Sequence, residues 1–86
     1  MLAIGKIEEA RIKYEKALEI NNQHADALNG LGNTILLDKA KVSDKSSLIY
    51  ASQLFKKAYE IDPTFDGFII NYKKTIDKIA KLNKIF

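Results

Sequence analysis

The 86 residues contain no cysteine and no tryptophan, and only one histidine and one proline. Without cysteine there is neither a disulfide framework nor a thiolate zinc site, and His24 alone cannot build a histidine-rich metal centre or a histidine relay. No apolar run approaches the ~20 residues that cross a bilayer. The opening residues also lack a basic stretch followed by an apolar run of the secretory kind. Charge of one sign is scarce as well: 14 Lys and Arg against 11 Asp and Glu leave +3, too slight a balance to argue for nucleic acid. The excess is C-terminal, since residues 1–38 carry four basic and six acidic side chains and residues 39–86 carry ten and five.

What is present is the composition of a folding, soluble domain, 47% hydrophobic and 29% charged. A chain this short makes one domain with a thin core, burying about 60–65% of its unfolded surface, which leaves little room for an enzyme. Apolar residues recur at three-and-four spacing almost throughout, the period of helices and not of strands. Four helices are expected. The first runs from about Lys6 to Ile20 with Ile7, Ala10, Tyr14, Ala17 and Leu18 on one face, and stops at the Asn21–Asn22 pair. The second starts near Ala25, turns Leu28, Leu31, Ile35 and Leu36 inward, and fades in the polar stretch Asp38 to Lys45, whose Ser43 and Asp44 can cap the next helix. The third, from about Asp44 to Ile61, carries Leu48, Ala51, Leu54, Phe55 and Ala58 and ends ahead of Pro63. The fourth, from about Phe65 to Asn83, carries Ile69, Tyr72, Ile76, Ile79 and Leu82 as a stripe, with Lys73, Lys74, Lys78, Lys81 and Lys84 mostly off it.

The strongest signal is internal. Shifted by 41 residues the sequence matches itself: Ala10, Tyr14, Ala17, Glu19 and Ile20 fall on Ala51, Phe55, Ala58, Glu60 and Ile61. Beyond the helix, Leu28, Leu31 and Ile35 fall on Ile69, Tyr72 and Ile76. The first and third helices are therefore equivalents, as are the second and fourth, and the unit is a helical hairpin used about twice.

These residues resemble the tetratricopeptide (TPR) repeat, a 34-residue helix-turn-helix. Leu28, Leu31, Gly32 and Ile35 fill the pattern of its first helix, and Ala51, Phe55, Ala58 and Pro63 that of its second. An earlier half-repeat supplies Gly5, Ile7, Ala10, Tyr14 and Ala17, with Asn22 where the family usually has Pro. The resemblance implies an all-α fold of antiparallel hairpins stacked as a short right-handed superhelix. One domain spans 1–86: residues 5–22 as the second helix of a partial repeat, 25–63 as a full repeat, and 65–86 as a terminal, capping helix. Small residues such as Gly32, Ala51 and Ala58 let backbones approach while Leu31, Ile35, Tyr14 and Phe55 fill the space. A helical glycine costs about 1 kcal/mol relative to alanine; close approach of a neighbour accounts for Gly32, while the sequence offers no reason for Gly30. Gly32 and Ala51 are 19 residues apart where the standard repeat has about 12. The added residues, near 39–45, are expected to lengthen the hairpin by a turn on each helix, with a longer loop as the alternative.

No residues form a catalytic arrangement. His24 lies between helices with no nucleophile or carboxylate pair at fixed spacing, and reads as a solvated turn residue. Glu8, Glu9, Glu15 and Glu19 are spaced with Arg11, Lys13 and Lys16 as ion pairs along a helix face. Gly30-Leu31-Gly32 follows no strand and precedes no Gly-Lys-Ser/Thr, so phosphate-loop and dinucleotide readings fail. A non-enzyme is expected, with no cofactor, no metal and no nucleic-acid partner; membrane contact is not expected, and the compartment expected is the cytoplasm.

The resemblance implies a protein-interaction scaffold whose first helices line a concave groove for a peptide or partner helix. Transferred position by position, the groove residues are Asp26, Asn29, Asn33 and Leu36 on the second helix and Ile70, Lys74 and Asp77 on the fourth. One subgroup grips the C-terminal carboxylates of heat-shock chaperones with a Lys, Asn and Arg clamp. Asn33 fits its asparagine, but Asn29, Gly67 and Asn71 stand at its lysine and arginine positions, so no such clamp is expected. The added residues, Gly32-Asn33, and Tyr72 with Lys74 also resemble the plant-type mitochondrial import receptor, a TPR protein that recognises presequence helices and is held by a C-terminal anchor not seen here. Two repeats are short for a continuous core. The alternatives are a piece of a longer array, with Met1, Leu2 and Ile4 as the stub of a preceding helix, or a structural homo-oligomer in which the groove holds another copy.

Overall fold

A computed structural model of the chain describes residues 4–85. It consists of four helices, α1 (Ile4–Ile20), α2 (Ala25–Leu37), α3 (Lys45–Ile61) and α4 (Asp66–Ile85), with no strand among the described residues. The all-α hairpin architecture expected from the periodicity is the one observed. Met1 and Leu2 lie outside the described residues, and Ile4 opens α1.

Local chemistry sets the boundaries. His24, with extended backbone (φ −79°, ψ 96°), caps α2: its Nδ1 accepts the Ala27 N–H at 3.1 Å. The turn residue is exposed, as expected, and has this structural task besides. Asp44 caps α3, its carboxylate accepting the Ser47 N–H at 3.2 Å and the Ser47 hydroxyl at 2.7 Å. α3 stops at Ile61 because Asp62, preceding Pro63, is pushed out of helical geometry. The Asp62 carboxylate then accepts the Thr64 N–H at 3.2 Å and its hydroxyl at 2.6 Å, closing the turn into α4.

The added residues go into the connection. α2 ends at Leu37 and α3 begins at Lys45, so the extra turn expected on α2 is absent and residues 38–44 join the helices. Asp38 is the cause. Its carboxylate accepts the Ala40 N–H at 3.0 Å, and its carbonyl accepts the N–H groups of Lys41 and Val42 at 3.0 and 2.9 Å. An aspartate that satisfies its own downstream amides ends one helix and starts a single separate turn.

Leu48, Ala51, Phe55 and Ala58 of α3 are fully enclosed, and Leu28, Leu31 and Ile35 of α2 and Phe68 of α4 form one core cluster with Ala51, Phe55 and Ala58. The paired glycines explain how α2 fits between its neighbours. A Cβ on Gly30 would overlap the Tyr14 ring of α1, and a Cβ on Gly32 would lie 2.7 Å from the Phe55 ring of α3. Two positions on a helix are about 200° apart, so the glycines open opposite flanks, each to one aromatic ring. Thr34 and Thr75, 41 residues apart, are both buried; their hydroxyls donate to the Leu31 carbonyl at 2.6 Å and the Asn71 carbonyl at 2.8 Å.

On α4 the buried line differs from the expected stripe. Phe68 and Thr75 are its enclosed members, Tyr72, Ile79 and Leu82 are half-buried, and Ile76 is 41% exposed. Its counterpart Ile35 is buried against α3, whereas no described helix covers that flank of α4. Lys73 stands where the 41-residue shift places Gly32.

Candidate binding face

α2 and α4 each pack on α3 and are linked to one another by one long-range hydrogen bond: the Asn71 Nδ2 donates to Asn29 Oδ1 at 2.9 Å. Both amides are half-buried. Asn29 sits on α2 at helical spacing from the other residues expected there. Asp26, one turn earlier, is exposed; Asn33, one turn later, is half-buried; Leu36 is half-buried and packs against the core. Successive spacings of three, four and three keep these side chains on one stripe.

On α4, Ile70 is 53% exposed and Lys74 is exposed, separated by one turn. Asp77 is exposed and pairs with Lys81 at 3.1 Å, an ion pair in solvent that contributes little. Asp26, Ile70, Lys74 and Asp77 are thus exposed while Asn29, Asn33 and Leu36 are half-buried, and Asn29 meets Asn71 between the helices.

Asn71 is not among the residues expected for this face. A signal for it exists in the sequence: the 41-residue shift sets Asn71 on Gly30, so the repeat that lacks a side chain on α2 carries an amide on α4. The Asn29 amide nitrogen and the Asn71 side-chain carbonyl oxygen have no partner among the described residues, leaving both donor and acceptor groups at the junction.

The face is mixed in character. Ile70 and Leu36 are apolar, Asn29, Asn33 and Asn71 are neutral hydrogen-bonding groups, and Lys74 is opposite in sign to Asp26 and Asp77. Elsewhere the marked electrostatic feature is on α1. Arg11 bridges Glu8 at 2.6 Å and Glu15 at 2.7 Å. The hydrogen bond from Arg11, aided by smaller pulls that include Lys41, holds the Glu8 carboxyl below the usual range. The hydrogen bond to Glu8, with the nearby charges of Glu15 and Glu8, raises the Arg11 guanidinium above its ordinary value. This is the helix-face pairing expected for that helix, realised by Arg11 with two of the four glutamates. Among the described residues no three His, Asp or Glu side chains converge as a metal site would require, and no helix is long and apolar enough to cross a membrane.

No solved structure matches the chain. Residues 2–37, which take in α1 and α2, match the model of the TPR repeat family. The hairpin pattern, the small residues beneath aromatic rings and this match agree: over its first two helices the chain is similar to a TPR repeat, which suggests a protein–protein interaction module.

Proposed function

We propose that the face shared by α2 and α4 is a groove that binds an extended peptide or a partner helix, without catalysis. In this reading α1 is the second helix of one repeat, α2 and α3 form a full repeat, and α4 is a terminal helix with the character of a first helix. The observation that carries it is the Asn29–Asn71 pair, which links the two helices and leaves amide donor and carbonyl acceptor groups at their junction. A peptide group offers the matching acceptor and donor. Asn33, Leu36, Ile70 and Lys74 flank that point and supply hydrogen-bonding, apolar and cationic contacts. Binding through main-chain groups gives affinity, and the flanking side chains give selectivity.

The test is a peptide-library screen against the whole chain and against Asn29→Ala and Ile70→Glu variants, preceded by light scattering across a concentration series. The expected result is a concentration-independent monomer whose selected peptides lose affinity for both variants. A dimer that masks Asn33 and Lys74 from labelling would transfer the face to self-association.

A further inference from the structure

The formal net charge of +3 is concentrated in two segments that the fold brings together. Residues 38–45 hold three lysines and two aspartates, and residues 75–85 hold three lysines and one aspartate; the rest of the chain cancels to zero. Antiparallel packing puts the end of α4 beside the connection before α3, where Ser43, Lys45, Leu82 and Asn83 line an open hollow of ≈ 310 Å³. The three aspartates are already engaged. Asp38 and Asp44 accept backbone N–H groups, and Asp77 pairs with Lys81. The connection is a hydrogen-bonded turn, which positions Lys39, Lys41 and Lys45.

We infer that this hollow is a second interaction surface, distinct from the α2–α4 face, and that it takes a short acidic peptide segment with an apolar residue among its carboxylates. Lys45 on the lining meets a carboxylate, Lys84 next to it in sequence adds positive charge at the rim, the Ser43 hydroxyl and Asn83 amide donate to the carboxylates or to the peptide backbone, and half-buried Leu82 seats the apolar residue. The surroundings select against other anions. None of Ser43, Lys45, Leu82 and Asn83 is aromatic, so no lining side chain stacks a nucleobase. Leu82 does not stand clear of the surface as a membrane-inserting side chain would.

The experiment is an NMR titration of the whole chain with the blocked peptide Glu-Glu-Leu-Glu-Glu. Parallel titrations use phosphatidylserine vesicles and a single-stranded RNA oligomer, and wild type is compared with Lys45→Glu/Lys84→Glu and Asn29→Ala. Both lysines are exposed, and a thermal melt checks that the double variant is folded. The expected result is saturable shifts at residues 41–45 and 80–84, weakened by salt and about tenfold by the double variant, and unaltered by Asn29→Ala. Three results would overturn the inference: shifts confined to α2 and the Ile70–Lys74 turn, equal binding by the folded double variant, or tighter binding of vesicles or RNA than of the peptide.

Discussion

The Tyr14 ring of α1 lies in the space that a side chain at Gly30 would fill. Glycine in a helix interior ordinarily weakens it by about 1 kcal/mol relative to alanine, and here that cost is offset by close packing of α1 on α2.

Gly30→Ala is accordingly expected to destabilise the fold, by about 1–3 kcal/mol, because the gain in helix propensity is smaller than the cost of displacing the ring. Gly5, with nothing within 4 Å of an added Cβ, is the control: Gly5→Ala stabilises by up to ~1 kcal/mol. Urea unfolding monitored by circular dichroism separates the two. Combining Gly30→Ala with Tyr14→Leu recovers part of the loss.

Removing either amide of the Asn29–Asn71 pair costs about 1 kcal/mol, with a coupling of about 0.5–1.5 kcal/mol in the double-mutant cycle. Additive losses would mean that the hydrogen bond between the helices contributes nothing.

His24→Asp is expected to raise stability by about 0.5–1 kcal/mol. An aspartate is a stronger cap than an imidazole nitrogen and places negative charge at the positive end of α2. A melting temperature unchanged or lowered would count against the cap seen at Ala27.

The Glu8 carboxyl is held low by Arg11, so its contribution is present above the ordinary carboxylate range, about pH 4.3, and disappears as pH falls through its lower folded value. The difference in stability between wild type and Arg11→Ala is therefore expected to be largest near neutrality and to shrink towards acid. Thermal melts across pH check this; a constant difference would show that Arg11 acts through its aliphatic stem alone.

Much of this fold is legible along the chain because helical period, caps and the shift of 41 residues are local properties. Asp44, the Asp62–Pro63 stop and the buried Leu28, Leu31, Phe55 and Ala58 all derive from them. Gly30 is opaque in the sequence because its reason is a ring on another helix. Ile76 departs from the expected stripe because the repeat pattern says which flank is apolar and not whether a neighbour covers it. The connection at 38–44 turns on Asp38, whose carboxylate competes with helical hydrogen bonding in a way that spacing alone does not reveal. Of the binding face, the α2 and α4 stripes are legible and the Asn71 contact is not, since it depends on how far apart the two helices settle.

Lys73 carries a consequence for growth of the stack. α2 can seat the Phe55 ring because Gly32 leaves a bare backbone; the corresponding position on α4 carries the exposed side chain of Lys73. The two flanks of the molecule are thus unequal partners for another hairpin: one added beside α4 has to turn the Lys73 side chain aside before a ring can lie where Phe55 lies on Gly32.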